Sequence, residues 1–306
     1  MIDPKRATPG SGADARALGS IAICSVIWGT TWYAITLQLG SVDATASVTY
    51  RFALASVVLF LFCWWRGEPI RLTGAQHLAV FGQGVLTFSI QYSMVYEAEQ
   101  HIASAVVAVI FAGLAFVNLA LFRLLLGQRA NWRAWVGAGL GVVGVAAMFV
   151  AELRRPGAGD EAHLGLILAV VAMIFAAAGN LAGWKAQKEG APVLASVAWA
   201  MAYGAGLVWL YGVSTGVEFG FELTPAYVGS LLYLSVFGSV VAFALYFMLA
   251  RAKGYALASY ISALTPPIAL LMSVVFEHAH FGWEAGLGLV LVLVGQVLLI
   301  RAPKVS

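Results

Sequence analysis

Charge is what this chain has least of. Only 10% of its 306 residues are Asp, Glu, Lys or Arg, against about 25% in an ordinary soluble domain. With 61% hydrophobic residues and a mean hydropathy of +0.89, a soluble fold is excluded and a polytopic helical membrane protein is expected. Cysteine is nearly missing too. Cys24 and Cys63 fall inside apolar runs, where a thiol is a small packing residue rather than half a disulfide. There is no Walker loop, no His-Glu-x-x-His and no Asn-x-Ser/Thr sequon. His77, His101, His163, His278 and His280 lie near the ends of apolar runs, and no Asp or Glu stands mid-run. That leaves no buried Ser–His pair or metal cluster for an intramembrane enzyme. It also leaves no ionisable relay of the kind proton-coupled carriers use, so a facilitator is expected, or a coupling the sequence does not reveal. Gly139-Leu-Gly141-Val-Val-Gly144 fits a dinucleotide pattern but sits in an apolar helix with no preceding strand. Its glycines, with Gly137-xxx-Gly141 and Gly282-xxx-Gly286, read as helix-packing residues.

What is present is a regular series of apolar spans. They run near 18–39, 43–65, 74–96, 101–126, 131–150, 163–188, 191–214, 224–250, 255–276 and 282–301. Twenty-two residues of helix rise about 33 Å, enough for a hydrocarbon core of about 30 Å. Residues 1–17 are polar and rich in Gly, Pro and Ala, a disordered tail on this reading. The apolar run that follows is too long for a signal-peptide core, so it is a retained first helix. Sorted by parity, the connections on one side carry fourteen Lys and Arg, and the other side only Arg154 and Arg155. The positive-inside rule then places both termini in the cytoplasm of a bacterial inner membrane.

The two halves repeat at an offset near 150 residues. Leu126-Gly127-Gln128…Trp132…Gly137 resembles Phe276-Glu277-His278…Trp283…Gly288, and Tyr92 followed by Ser104 resembles Tyr246 followed by Ser259. Five helices per copy is an odd number, so the second copy enters the membrane from the opposite side. The expected fold is all-α, with ten transmembrane helices as two inverted five-helix repeats at 18–150 and 163–301. Residues 151–162 form an external linker and 302–306 a cytoplasmic tail. Inverted repeats are common in secondary transporters, whose substrate site lies mid-membrane between the halves.

Polar and aromatic stripes recur at helical spacing on six spans. Helix 1 offers Trp28, Thr31, Trp32 and Ile35; helix 3 offers Ser89, Tyr92, Ser93 and Tyr96; helix 4 offers Ser104, Phe111 and Asn118. Helix 6 offers Asn180, Trp184 and Gln187; helix 8 offers Ser235, Ser239, Phe243 and Tyr246; helix 9 offers Ser259, Ser262 and Pro266. Helices 2, 5, 7 and 10 look peripheral. Trp28-Gly29-Thr30-Thr31-Trp32-Tyr33 puts indoles and hydroxyls at mid-depth, where a lipid-facing helix has no use for them. The second-half counterpart, Phe175 to Trp184, holds Gly179 and Asn180 instead, so a cavity between the halves should be most aromatic on the helix 1 side. Pro266-Pro267 breaks the hydrogen-bond ladder of helix 9 and is a candidate hinge. Arg51 stands alone inside helix 2, about 12 Å from Asp43. It is read as a bracing or gating charge that snorkels toward the outer end, with Glu97 or Glu99 as partner.

The ten-helix repeat, Trp28-Gly29-Thr30, Arg51 and Pro266…Glu277 together resemble EamA-like members of the drug/metabolite transporter superfamily, and among them the YddG-type aromatic amino-acid exporters. Ala112 stands near an expected proline and Gln128 where glutamate is usual. The resemblance implies a central cavity walled by helices 1, 3, 4, 6, 8 and 9, and a metabolite exporter rather than an enzyme. Aromatics at Trp28, Trp32, Tyr92, Tyr96, Phe111, Phe175, Trp184, Phe243 and Tyr246 would pack an apolar side chain. Thr31, Ser93, Asn180, Ser239, Tyr260 and Ser262 would bond its polar end. A nucleotide-sugar carrier is disfavoured, since nothing basic is expected at the cavity to hold phosphate. A multidrug or quaternary-ammonium exporter using the same walls for cation–π contacts is the alternative. No cofactor, metal or nucleic acid is called for. The partners are a small-molecule substrate and the lipid bilayer, and the glycine motifs permit a dimer without requiring one.

Overall fold

The computed structural model describes residues 11–127, 131–154, 159–253 and 255–301. Among these, ten helical spans follow one another: α1 (Ser11–Thr36), α2 (Ala44–Arg66), α3 (Gly74–His101), α4 (Ser104–Leu126), α5 (Trp132–Leu153), α6 (Gly159–Lys188), α7 (Val193–Thr215), α8 (Pro225–Ala252), α9 (Tyr255–Phe276) and α10 (Trp283–Arg301). The first eight are each long and apolar enough to cross a membrane. Large aromatics stand exposed near several helix ends, among them Trp64, Trp65, Trp132 and Trp283, as anchors at a membrane–water interface do.

Local chemistry sets the boundaries. The Asp43 carboxylate accepts the Thr45 N–H at 2.7 Å to start α2, and Gly67 ends it in the left-handed region at φ 66°. Thr73 and Gln76 close a capping box at the start of α3, satisfying two otherwise orphaned donors. Thr224 caps α8 with Pro225 at its first position. α1 begins at Ser11, within the stretch 1–17 expected as a tail; residues 1–10 and 302–306 lie outside the described residues. α5 runs to Leu153 and α6 starts at Gly159, both within the connection expected over 151–162. Between α7 and α8, the Glu222 carboxylate is held below its usual range by hydrogen bonds from Ser41 and Thr224.

Three spans are irregular where the sequence reads as plain helix. α3 carries a π-helical segment at Gly84–Gln91 and α8 carries one at Leu234–Val241, at equivalent places in the two halves. α4 breaks at Gly113, between Ser104–Ala112 and Leu114–Leu126. The proline pair of α9, by contrast, lies within a continuous helix.

The packing shows the inverted symmetry. α1 lies against α8 and α9 as α6 lies against α3 and α4, while α2 pairs with α7 and α5 with α10. The α5–α10 pair is built on glycine. A Cβ on Gly137 would stand 2.4 Å from the Gly295 carbonyl, and one on Gly144 would stand 2.6 Å from the Gly288 carbonyl. Gly139 and Gly286 meet nothing within 4 Å, so neither belongs to this seam. The Gly282-xxx-Gly286 reading is therefore replaced by Gly288 and Gly295, and these glycines are occupied within one chain.

Candidate functional site

A cavity opens where the two halves meet. Its walls are Trp28, Thr31, Trp32 and Ile35 of α1; Thr87, Gln91 and Tyr92 of α3; and Ala108, Phe111, Ala112 and Leu114 of α4. The second half gives Ala176 and Asn180 of α6, Phe243 and Tyr246 of α8, and Ser262 and Thr265 of α9. Arg51 of α2 completes the lining. The six spans are those the stripes single out. α6 gives only an alanine and an amide, while α1 gives two indoles.

Each residue of the Trp28–Tyr33 stretch has its own task. The Trp28 ring lies 5.2 Å from Phe243 and 5.3 Å from Tyr246, and its indole N–H donates to the Gly238 carbonyl at 3.1 Å. Gly29 lets α1 close on α9, since a Cβ there would stand 2.6 Å from Ile268. Thr30 shares a 2.6 Å hydrogen bond with Tyr233, and Tyr33 stacks on Phe276. Trp32 packs on Phe111 at 5.1 Å. Its indole N–H and the Thr87 hydroxyl are buried without a hydrogen-bond partner. Across the cavity, Asn180 donates to Asn118 at 3.5 Å, joining α6 to α4.

Arg51 departs from expectation. It is 1% exposed and does not snorkel. Its Nε donates to the Ser239 hydroxyl at 3.2 Å and its Nη1 to the Tyr96 phenol at 3.4 Å. The guanidinium stands 4.7 Å over the Tyr92 ring and 5.1 Å over the Phe52 ring. The Tyr96 hydroxyl donates in turn to Gln38 Oε1 at 2.6 Å, and the Ser239 hydroxyl donates to the Leu234 carbonyl within the π segment. One chain of hydrogen bonds thus joins α2, α3, α8 and the turn that follows α1. Neither Glu97 nor Glu99 pairs with Arg51: Glu97 is half-exposed and bonds Gln100 and His101, while Glu99 is buried with both carboxylate oxygens unbonded. The expectation that nothing basic stands at the cavity is overturned by the same residue.

Several expected lining residues stand elsewhere. Tyr96 and Ser239 are buried behind Arg51 rather than at the cavity surface. Trp184 packs against Phe122 with Lys188 over its ring, away from the lining. Ser93 and Phe175 are half-buried and also outside the lining. The side chain of Tyr260, the equivalent Ser259 and the whole of Gln128 lie outside the described residues.

The sequence reading missed Gln296 of α10 altogether. It is fully buried, donating to the Ala112 carbonyl at 2.7 Å and the Ser262 carbonyl at 3.5 Å. Ser262 is the carbonyl that Pro266 deprives of its helical partner, and Ala112 stands at the break in α4. One amide from a supposedly peripheral helix therefore satisfies both helix defects. Glu277 ties the same two helices at their other contact, accepting from Ser104 N at 3.3 Å, from the Ser104 hydroxyl and from Ser273 at 2.6 Å. A glutamine in the apolar stretch between Glu284 and Arg301 was the available signal for Gln296.

Comparison with known proteins agrees with the repeat. The sequence profile of the EamA-like transporter family matches twice, over residues 16–150 and 163–301. The uncharacterized inner membrane transporter YedA of Escherichia coli is 27% identical over 260 residues, covering 83% of this chain and 80% of YedA. Protein PagO of Salmonella typhimurium is 23% identical over 152 residues, half of this chain and 49% of PagO. A probable biotin transporter of Pseudomonas aeruginosa is 30% identical over 158 residues, 51% of this chain and 52% of that one. A solved crystal structure shares the fold with a TM-score of 0.69 at 16% identity, covering 93% of this chain and 96% of the other. The two matched halves, the multi-pass helical fold and the transporter relatives make the chain a membrane transporter and not an enzyme: it belongs to the EamA-like transporter family.

Proposed function

We propose that this protein exports small amphipathic metabolites, neutral aromatic amino acids foremost, across the bacterial cytoplasmic membrane. Both termini lie inside on this reading, which the Lys and Arg distribution supports, and the name of YedA supports the inner membrane. The observation that carries the reading is a cavity at the junction of two inverted halves, walled by Trp28, Trp32, Tyr92, Phe111, Phe243 and Tyr246. Six rings around one space suit a flat apolar side chain, and Asn180, Gln91 and Ser262 offer bonds to its polar end. Alternating access would turn one half against the other about this site. In proteoliposomes, labelled phenylalanine is expected to move in a saturable manner, with unlabelled tryptophan and tyrosine competing. Absence of flux for every neutral amino acid would sink the substrate assignment.

α4 and α9 are the hinge helices of this mechanism. The break of α4 at Gly113 and the Ser262 carbonyl that Pro266 leaves free in the continuous α9 are bridged by Gln296. Gln296→Leu should leave both carbonyls without that donor and cost about 1–3 kcal/mol of stability. Equilibrium binding of substrate should survive, while the turnover rate changes. Paired thermal-melting and flux measurements check this; an unchanged melt with unchanged flux would remove Gln296 from the hinge.

A further inference from the structure

Arg51 has no substrate role in the reading above, yet its surroundings are incomplete. Its guanidinium is buried in the wall of the cavity. Its two hydrogen-bonded partners, Ser239 and Tyr96, are neutral. The ion pairs among the described residues join His101 to Glu97 and to Glu161, and none reaches Arg51. Glu99 acts on it only from beyond ion-pair distance. Among the described residues, no Asp or Glu lines the cavity. A desolvated cation with no carboxylate in ion-pair contact is costly, and the faces of Tyr92 and Phe52 offset only part of that.

The rest of the wall leans the same way. The unbonded buried groups on cavity-lining residues are the Trp32 indole N–H and the Thr87 hydroxyl, one a pure donor and the other able to donate. With Arg51, the site has donors to spare and no anion. A guanidinium has five N–H bonds in a planar fork, and two of them are taken by Ser239 and Tyr96. Among the described residues, the lining holds one basic side chain and no lysine, which matches a single negative charge better than a phosphate dianion.

We propose that Arg51 receives the carboxylate of the transported molecule, so that the substrates are carboxylates with an apolar body. This rests on the cavity being the transport site. Trp28 bonds the Gly238 carbonyl and Arg51 bonds the adjacent Ser239 hydroxyl. A carboxylate held at Arg51 therefore leaves the apolar body beside the Trp28, Phe243 and Tyr246 rings. Zwitterionic amino acids satisfy this rule, as do simple apolar carboxylates. Quaternary ammonium compounds do not, because they would meet a guanidinium and no carboxylate.

The test is calorimetric binding to the full-length protein in nanodiscs, with phenylalanine, phenylalaninamide, 3-phenylpropanoate, phenethylamine and octanoate as probes. The acids are expected to bind roughly 10- to 100-fold more tightly than the amide or the amine, the scale of a charge-assisted hydrogen bond. Arg51→Gln should erase that preference and Arg51→Lys should keep part of it. If Arg51→Gln does not elute as a folded protein, the ligand comparison on the unaltered chain decides alone. Equal binding of acid and amide, or no binding of any acid, overturns the proposal. Phenylalanine bound alike by the unaltered chain and Arg51→Gln would leave the amino-acid reading standing and remove the carboxylate anchor. Arg51-dependent binding of octanoate without phenylalanine would do the reverse.

Discussion

Trp28→Ala is expected to weaken phenylalanine binding by about 30-fold or more, the effect of losing a central aromatic anchor worth about 2 kcal/mol. Two losses combine. The indole faces the cavity between Phe243 and Tyr246, so truncation opens the wall against which a substrate ring would rest. The indole N–H also holds the Gly238 carbonyl of the α8 π segment, and a buried carbonyl left unbonded costs about 1–3 kcal/mol. Trp28→Phe separates the two, keeping a ring while removing the donor. It should retain most of the affinity if packing dominates, and behave like alanine if the π segment relaxes. Trp184→Ala is the contrast. Trp184 stands on Phe122 outside the lining, so affinity should stay within about twofold, the level of a residue outside an energetic hot spot. Equal losses for Trp28→Ala and Trp184→Ala would mean that the cavity is not the binding site.

The contrast between these two tryptophans marks how far the sequence can be read. Both sit at helical spacing on stripe-bearing spans, and periodicity alone treats them alike. Depth separates them: Trp184 lies one turn before Lys188 at the end of α6, and a cation at a helix end marks the boundary of the apolar core. The count of ten spans and the duplication were legible because each rests on runs of twenty residues or so. The six cavity helices were legible for the same reason, since a stripe averages over many positions.

What escaped the reading depends on single atoms. Arg51 looks like a snorkelling residue by its distance from Asp43, yet its side chain turns inward to Ser239 and Tyr96, contacts that come from α8 and α3. The π segments have no compositional mark; both contain glycine and serine or threonine, as ordinary membrane helices do. They matter because the wider turn moves carbonyls and side chains off the regular ladder, as π-bulges at functional sites do. Gln296 is the one polar side chain of α10 between Glu284 and Arg301 at its ends. Its meaning depends on two carbonyls 184 and 34 positions away.

The other large effect lies outside the cavity lining, in the α5–α10 seam. Gly137→Leu or Gly295→Leu is expected to abolish recovery of folded, monodisperse protein, whereas Gly139→Leu should be tolerated. Between transmembrane helices there is no water to expel, so close packing and interhelical contacts carry the association. Here the backbones themselves meet: a Cβ on either Gly137 or Gly295 would stand 2.4 Å from the carbonyl of the other. No rotamer change can relieve a clash with a main-chain oxygen, so the helices must separate. The loss should then exceed the about 1–3 kcal/mol typical of overpacking a deformable core. Gly141 is as restricted, because its Cβ would enter the Phe116 ring. Gly139 lies between these positions in sequence but turns outward, with nothing within 4 Å. The dinucleotide-like Gly139-Leu-Gly141-Val-Val-Gly144 is thus divided by helix geometry into one free position and two locked ones. Size-exclusion profiles and melting points of the leucine variants would test this. Equal tolerance at 137, 139 and 295 would mean that α5 and α10 do not meet through their glycines, and the pairing that encloses Gln296 would fall with it.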